Sequence, residues 1–381
     1  MKNFLIKVLG LFIMWRVIIT LGLIVGILFI PLANQDKFLG GGFRNYNLSP
    51  ELFSWANFDG EHYLSLSIFG YKEREQVFFP LYPMLISFFS KSFGNDLFSN
   101  LMYGTIFGII VSLSALILAL IYLYKLIILD YPEKIALWTI LIILVFPTSF
   151  YFGAVYNESL FLLLSVASFY YARKGKWLIA SILGGFSSLT RIFGIFLLPA
   201  LFFEARQQKI KFYKYLYLLF IPLGLGAYMI YQGIVFNDPL AFYNLQKFVG
   251  EQRQSSFVLL PQVFYRYIKM LFTVNPLAPI YQTVVLELII GTLFFILPIY
   301  GYFKKIRLSY LVYAFCAFII TTVQGSFSSV PRYVLVFFPG FIAIALYMEK
   351  KNYLIKILVV AVMTLLLIWE TALFLRGYWV A

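Results

Sequence analysis

The sequence holds one cysteine and one histidine among its 381 residues, Cys316 and His62. A single cysteine excludes a disulfide within this sequence and excludes the cysteine clusters that bind structural zinc. Charge is scarce as well, since only 12% of the residues are Asp, Glu, Lys or Arg, against roughly a quarter in soluble globular domains. So little charge excludes an ordinary soluble protein.

Apolar side chains fill the composition instead. Hydrophobic residues make up 62% of the chain, aromatic residues make up 20%, and the mean hydropathy is +0.88. Apolar windows of ~20 residues recur from end to end, and each is long enough to cross a ~30 Å hydrocarbon core as a helix. The run that follows Lys2 and Lys7 lacks a small-x-small cleavage pattern, so we interpret it as a retained first span rather than a signal peptide. The sequence predicts an all-α polytopic membrane protein with a single domain, 1–381.

The net charge of +14 lies in the connectors between these windows. Lys and Arg cluster at 173–176, 206–214, 304–307 and 350–351. Basic connectors of this kind mark cytoplasmic loops under the positive-inside rule. We therefore expect membrane lipids as partners and no nucleic acid, with Lys2, Lys7 and Arg16 flanking the first span on the cytoplasmic side.

Charge alternation predicts nine spans. We place them at about 9–31, 100–124, 135–150, 155–172, 215–236, 281–303, 308–324, 333–348 and 354–375. The apolar segment 177–203 has basic residues at both ends, so one crossing would invert every later loop. Two short half-helices that meet near Arg191 would not, and we favour that re-entrant pair over the single crossing.

The first outer loop, 32–99, contains a second ambiguous apolar stretch, VFFPLYPMLISFF. It has two prolines and ~13 residues, which is short for a span, so we expect an interfacial or re-entrant helix. Upstream, Ser49 with the following proline is a credible helix start, and Gly70 is a credible stop. One helix between them would set Asp59 on an apolar face, whereas Gly60 favours two shorter helices with Asp59 as cap of the second.

The segment FDGEHYLSLSIFGY carries the best candidate for chemistry. If Asp59 points into a cavity at the membrane surface, its carboxylate can accept a hydroxyl proton. Glu61 and His62 would point elsewhere on a helix, which favours a supporting role behind Asp59. A metal site built from these three residues stays as an alternative.

Three further charged residues face the same predicted side. Glu158 opens a span, where the helix dipole alone could explain an acid. Arg191 is costly at membrane depth unless it binds an anion or a structural acid. Arg332 also begins a span, and the alternative to a functional role is that its side chain snorkels to the membrane surface. A base with one or two fixed arginines suits attack by a hydroxyl with departure of a phosphate.

These motifs resemble a known family. FDGEHYLSLSIFGY followed by VFFPLYPMLI is similar to the first outer loop of the mannosyltransferase family that adds the second mannose to glycosylphosphatidylinositol anchors, the PIG-V type, in its prokaryotic branch. The blocks FPTSFYFGAVYNESLFLLL, LTRIFG, DPLAFYNLQ, PRYVLVFFP and GYWVA follow in the same order. Phe58 replaces the more usual Trp, and Asn157 stands where relatives often carry Ser or Thr.

The resemblance implies a GT-C-like bundle of about 11 transmembrane helices, counting the re-entrant pair, with interfacial helices in the first outer loop. It also implies an inverting glycosyltransferase, by expectation a mannosyltransferase, that moves a hexose from a polyprenyl-phosphate donor to a hydroxyl of a lipid or glycan acceptor. The site would lie on the non-cytoplasmic face of a multi-pass protein, in the plasma membrane if the source is prokaryotic.

By that resemblance Asp59 is the general base, and Glu61 and His62 match a Glu-His pair of some members. Glu158 is expected on the acceptor side. Arg191 and Arg332 are assigned to the donor phosphate, on physical grounds more than on a match to a motif. No resident cofactor is implied, and a divalent metal stays open. The alternatives are a transporter or flippase of lipid-linked sugars and a non-catalytic subunit of a glycosylation complex.

Overall fold

A computed structural model of the protein describes residues 2–33, 39–248, 258–323 and 325–380. Parts of two predicted outer loops, 34–38 and 249–257, lie outside the described residues. Every regular element in the described part is a helix, which confirms the predicted all-α polytopic class.

Eighteen α-helices follow one another along the described chain. The first nine are α1 (Lys2–Phe29), α2 (Gly42–Leu48), α3 (Pro50–Phe53), α4 (Asp59–Phe69), α5 (Leu81–Ser90), α6 (Leu97–Ile127), α7 (Glu133–Val145), α8 (Glu158–Arg173) and α9 (Trp177–Thr190). The others are α10 (Leu197–Gln207), α11 (Phe220–Phe236), α12 (Ala241–Asn244), α13 (Leu260–Thr273), α14 (Pro279–Phe303), α15 (Leu308–Thr322), α16 (Val330–Tyr333), α17 (Phe338–Glu349) and α18 (Tyr353–Leu375).

Five helical segments in the described residues are long and apolar enough to cross a bilayer. They are Asn3–Phe29, Leu97–Ile127, Phe212–Phe236, Ile280–Phe303 and Tyr353–Leu375. A sixth candidate is the pair Val330–Val336 and Phe338–Glu349, which bends by 85° at its break. The predicted spans 135–150, 155–172 and 308–324 are the shorter helices α7, α8 and α15.

The predicted cytoplasmic connectors meet at one end of the bundle. Lys7 near the start of α1 binds Glu133 at 2.8 Å, and Lys134 binds Glu349 at the end of α17 at 3.2 Å. The same end holds a buried network around Glu204, whose carboxylate accepts hydrogen bonds from Arg307 at 2.7 and 2.8 Å. Contacts between these loops agree with the sidedness that the charge pattern predicts.

The segment 177–203 forms a helical hairpin. α9 ends at Thr190, Arg191 has an extended backbone, and α10 then returns toward the start of α9. The return is visible where Gln208, just after α10, donates to the carbonyl of Ala172 at 3.2 Å, because Ala172 lies just before α9. The chain therefore leaves the segment at the end where it entered, as the favoured re-entrant pair predicts.

The first outer loop folds into short helices that rest on α6. The alternative of one helix from Ser49 to Gly70 is wrong, because the chain breaks between Ala56 and Asp59 and continues as α4. Ser49 makes no side-chain cap bond to the helix, although Gly70 ends α4 with a φ of +76° as predicted. The second apolar stretch is the ten-residue helix α5, whose Tyr82 hydroxyl donates to the carbonyl of Gly108 in α6 at 2.9 Å.

α8 lies at the centre of the molecule. Nearly all its residues are buried, including three serines that hydrogen-bond to neighbouring carbonyls. A helix that is covered on all sides in this way is fixed by its neighbours. With 16 residues it is about 24 Å long, and it places Glu158 at one end and Arg173 at the other.

Candidate active site

Four charged residues from distant parts of the sequence form one ion cluster. Arg332 donates through Nε to Oε1 of Glu158 at 2.5 Å and through Nη1 to Oδ2 of Asp59. Arg191 donates through Nη1 to the same Oε1 of Glu158 at 2.6 Å. The structure therefore brings together Asp59, Glu158, Arg191 and Arg332, which the sequence analysis had singled out separately.

The cluster is balanced in charge and mostly buried. Glu158 is fully buried, and Arg332 and Arg191 are only 4% and 8% exposed. Two carboxylates face two guanidinium groups, so burial leaves no net charge that water would have to solvate. Oε2 of Glu158 is buried and has no hydrogen-bond partner in the part of the chain that the structure describes. Asp59 is the most open member, with 27% of its side chain exposed.

Glu158 and Arg191 are placed by the ends of α8 and α9. Glu158 is the first residue of α8, where the helix dipole favours an acid. The preceding Asn157 joins both helices, because its Nδ2 donates to the carbonyl of Thr190 at 2.9 Å and its Oδ1 accepts from Arg191 at 3.1 Å. The departure from the family pattern at Asn157 thus adds a ligand to Arg191.

Arg332 lies just after a turn that is held by a hydrogen bond to a buried acid. It belongs to the four-residue helix α16, which follows Ser329 with a left-handed φ of +63°. The backbone N–H of Ser329 donates to Glu287 of α14 at 3.1 Å. The Arg332 guanidinium then lies over the rings of Tyr156 and Tyr151, with its Cζ 4.5 and 5.2 Å from their centroids. Cation–π contacts of this kind stabilise a desolvated arginine.

Asp59 is aimed at Arg332 by a strained turn. It opens α4 directly after Phe58, whose φ of +56° is rare for a residue that is not glycine. The turn is held by buried Asn57, whose Nδ2 donates to the carbonyl of Phe374 at 3.0 Å and whose Oδ1 accepts from the N–H of Gly40 at 2.9 Å. Tyr156 donates to the Asn57 carbonyl at 2.8 Å. The carboxylate of Asp59 therefore belongs to the ion cluster and does not act as the N-cap of α4.

Glu61 and His62 lie on α4 beside a second acid. Nδ1 of His62 is 3.6 Å from Oε1 of Glu75, and its ring stacks on Phe78 at 4.7 Å. Burial lowers the pKa of His62, but the polar contact with Glu75 and the charges of Asp59 and Glu75 outweigh it, so the pKa is raised. Burial raises the pKa of Glu61 to about 7, with the charge of His62 opposing it. Among the described residues, no three His, Cys, Asp or Glu side chains are arranged to hold a metal.

The sequence analysis missed several residues that shape the site. Tyr151, Tyr156 and Asn57 are uncharged and sit among many similar residues, so no local signal marks them. Arg16 was placed wrongly: it does not flank α1 but lies near its middle, with its guanidinium 5.0 Å from the Trp55 ring centroid. Trp55 belongs to the turn at 54–56, a few residues before Asp59.

A model of the family described as Mannosyltransferase (PIG-V) matches residues 41–269, more than half of the chain. The match includes Asp59, Glu158 and Arg191, whereas Arg332 lies beyond it. A search of curated proteins found no match.

Among solved structures, the chain is similar to an oligosaccharyltransferase of Archaeoglobus fulgidus. The complex with Zn and sulfate shows 15% identity and a TM-score of 0.44, over 95% of this chain and 53% of that one. The complex of the same archaeal enzyme, AglB, with an inhibitory peptide and a dolichol-phosphate shows 12% identity and a TM-score of 0.41, over 96% and 56%. The chain thus spans about half the length of these proteins, and a likeness this distant indicates no activity.

Proposed function

The chain belongs to the PIG-V mannosyltransferase family and is a glycosyltransferase, and on that premise we propose that it moves mannose from a polyprenyl-phosphate donor to a hydroxyl of a lipid or glycan acceptor. One structural observation supports the chemistry of this proposal. Asp59 is the only member of the ion cluster with a substantially exposed carboxylate, and it is joined to a buried arginine. A fixed, ionised and accessible carboxylate is what removal of a hydroxyl proton requires.

The proposed reaction is a single displacement with inversion. Asp59 accepts the proton of the acceptor hydroxyl as its oxygen attacks the anomeric carbon of the sugar. The new carbon–oxygen bond forms on the face opposite the lipid phosphate, while the bond from the anomeric carbon to the phosphate oxygen breaks. The electron pair of that bond leaves with the polyprenyl phosphate. Holding base, acceptor and donor in line supplies much of the rate.

Arg332 has two roles in this scheme. Its contact with Asp59 keeps that carboxylate ionised and aimed. Its Nε and Nη1 are engaged by the two carboxylates, so within the described residues Nη2 is the nitrogen that remains for a donor oxygen. The assignment of Arg332 and Arg191 to the donor phosphate stays a prediction, and the ion pairs favour a positioning role for Arg191, whose Nη1 holds Glu158 in place.

Glu158, Glu61 and His62 are proposed as supporting groups. Glu158 is fully buried, so we assign it to holding both arginines and not to contact with the acceptor. Glu61 and His62 lie on the same short helix as Asp59 and adjust the local charge beside it. We place the site on the non-cytoplasmic face of the membrane, because it lies at the end of α8 opposite the basic connectors.

The test is transfer of labelled mannose from a short-chain polyprenyl-phosphate mannose to endogenous acceptors in membranes that express the protein. Wild type should transfer, and Asp59→Asn should lose about 10²–10⁴-fold of the rate, the usual worth of a general base. Asp96→Asn is the matched control, because Asp96 is in the same loop, caps α6 and keeps that bond as an amide.

Two results would contradict the proposal. One is transfer by Asp59→Asn at the wild-type rate with equal amounts of folded protein. The other is absence of transfer from every donor sugar tested, together with movement of lipid-linked sugar across proteoliposomes, which would favour the transporter alternative.

A further inference from the structure

A buried acid of α14 links the turn before Arg332 to the neighbouring helix α13. Glu287 is only 3% exposed, and both of its carboxylate oxygens are used. Oε1 accepts a hydrogen bond from the backbone N–H of Ser329 at 3.1 Å, and Oε2 accepts one from the hydroxyl of Tyr267 at 2.6 Å. The proposed reaction gives neither Glu287 nor Tyr267 a role.

Glu287 does not act as the partner of a cation. The ion pairs among the described residues do not include it. A carboxyl group that is buried without a cation is costly unless hydrogen bonds satisfy it. Both of its donors, a backbone N–H and a tyrosine hydroxyl, are neutral. The role of Glu287 should therefore lie in the groups that these two hydrogen bonds hold in place.

The group held most directly is the turn before Arg332. Ser329 has a left-handed φ of +63°, which is unfavourable for a residue other than glycine and persists only where its surroundings impose it. The carbonyl of Ser329 accepts from the N–H groups of Arg332 at 3.1 Å and Tyr333 at 2.9 Å, and so begins α16. Because Glu287 binds the N–H of Ser329, it fixes the residue from which the helix of Arg332 starts.

Packing around Phe327 adds α13 to the same unit. Phe327 is fully buried, and its ring centroid lies 5.0 Å from the centroids of both Phe264 and Tyr267 in α13. It also lies against Gly291 of α14, where a Cβ would come within 3.0 Å of the Phe327 ring. The helices α13 and α14 and the turn before α16 therefore pack as one unit.

The position of Arg332 is important because its guanidinium contacts both carboxylates of the ion cluster. It binds Glu158 through Nε and Asp59 through Nη1, and a displacement of about 1 Å in a positioned group can cost about 10²-fold in rate. We propose that Glu287 is a positioning residue for the transfer reaction, which holds the turn at Ser329 and thereby aims Arg332 at Asp59. This inference rests on the proposed function, because it assigns a role in the same reaction.

The test compares two replacements of Glu287 by their initial rates of mannose transfer per folded molecule. Glu287→Met keeps the length of the side chain but removes both acceptors, and it should lose about 10–10²-fold of the rate. Glu287→Gln should keep most of the rate, because its amide oxygen can accept from Ser329 while its NH2 group donates to the hydroxyl of Tyr267. An equal loss in both variants would overturn the inference. Glu204→Gln is the matched control, because Glu204 is a buried acid at the opposite end of the bundle.

A pH–rate profile separates positioning from a general loss of structure. The acidic limb of kcat/KM reports the ionisation of the base, and the guanidinium of Arg332 favours the ionised form of Asp59. If Glu287→Met displaces Arg332, that limb should move to higher pH by about one unit. The other charged groups near Asp59 are Glu158, which shares Arg332, and His62, and neither hydrogen-bonds to Glu287. A lower rate with an unmoved limb would overturn the positioning role.

Two further variants test the path from Glu287 to Arg332. Glycine adopts a positive φ without strain, so adding Ser329→Gly to Glu287→Met should recover a large part of the lost rate. No recovery would show that Glu287 does not act through this turn. If Glu287→Met fails to fold, Tyr267→Phe takes its place, because it removes one of the two hydrogen bonds that orient the carboxylate. Tyr267→Phe should move the acidic limb in the same direction by less, and an unchanged profile would then overturn the inference.

Failure of this inference is distinguishable from failure of the proposed function. Hydrogen exchange in the segment 326–333 reports on the turn without any transfer, and it should be faster in Glu287→Met than in wild type. Faster exchange together with no mannose transfer by wild type would keep the link to Arg332 and refute the reaction. Mannose transfer by wild type that Glu287→Met leaves unchanged would keep the reaction and refute the inference.

Discussion

Replacing Glu158 with glutamine should damage stability far more than replacing Asp59 with asparagine, whereas their effects on catalysis per folded molecule should rank the other way. Glu158 is fully buried and its Oε1 accepts from both Arg191 and Arg332. Removing its charge leaves two buried guanidinium groups with one carboxylate, and breaking a buried ion pair costs about 3–5 kcal/mol.

The expected cost at Asp59 is smaller. Its side chain is 27% exposed, so water screens its pair with Arg332, and asparagine can still accept a hydrogen bond there. We expect about 1 kcal/mol, at the upper end of values for exposed pairs. The loss in rate should nevertheless be about 10²–10⁴-fold if Asp59 is the base. Glu158→Gln should retain transfer per folded molecule within about tenfold of wild type, because it leaves the base in place.

The assay combines unfolding and transfer on the same preparations. Thermal unfolding in micelles gives the ranking in stability, and initial rates of mannose transfer are divided by the folded fraction. A double variant, Glu158→Gln with Arg191→Gln, restores a one-to-one charge ratio around Arg332. It should therefore lose less stability than the sum of the two single variants, by about 0.5–3 kcal/mol. Strict additivity, or a smaller loss for Glu158→Gln than for Asp59→Asn, would refute the reasoning.

Three further predictions concern residues around the site. Burial favours the neutral form of Glu61 and raises its pKa from the ordinary 4.5 to about 7. Wild type should therefore lose stability relative to Glu61→Gln as the pH rises from 4.5 through 7. An equal difference in melting temperature between the two proteins at both ends of that range would contradict this. Glu204→Gln should cost about 3–5 kcal/mol, because Arg307 loses a buried partner, while the transfer rate per folded molecule stays the same. Gly194→Ala should reduce the yield of folded protein, because its new Cβ would lie 2.3 Å from the backbone nitrogen of Ser188; a normal melting temperature would show that the turn after Arg191 can move.

Local signals in the sequence were sufficient for the helical class and for part of the chain's course. Basic residues marked which connectors lie on one side, and the contacts of Lys7 with Glu133 and of Lys134 with Glu349 agree with that grouping. The break at Arg191 was predictable for the same reason, since a charged residue inside an apolar segment with basic ends cannot continue a simple crossing at low cost. Such signals act over a few residues, so a single sequence displays them.

The geometry of the site was not predictable in this way. Arg332 is separated from Asp59 by 273 positions and from Glu158 by 174, and nothing in their local sequences selects that pairing over others. The conformation of Phe58 is invisible as well, because phenylalanine is a poor choice for a positive φ and only the packed surroundings impose it. Glu158 is buried and Asp59 is partly exposed, and this difference in exposure cannot be read from the sequence pattern around either residue.

The positions of the two ion networks indicate which part of the site is rigid. α8 is held at one end by Glu158 with its two arginines and at the other by Arg173, which binds Asp130 at 2.5 Å and 2.7 Å. An element fixed at both ends and buried along its length keeps Glu158 and Arg332 in place. Asp59, by contrast, stands on an 11-residue loop helix after a strained turn. Any movement that admits the acceptor should therefore occur in α4, while the pair of Arg332 and Glu158 stays in place. Faster hydrogen exchange in α4 than in α8 is the expected sign of that movement.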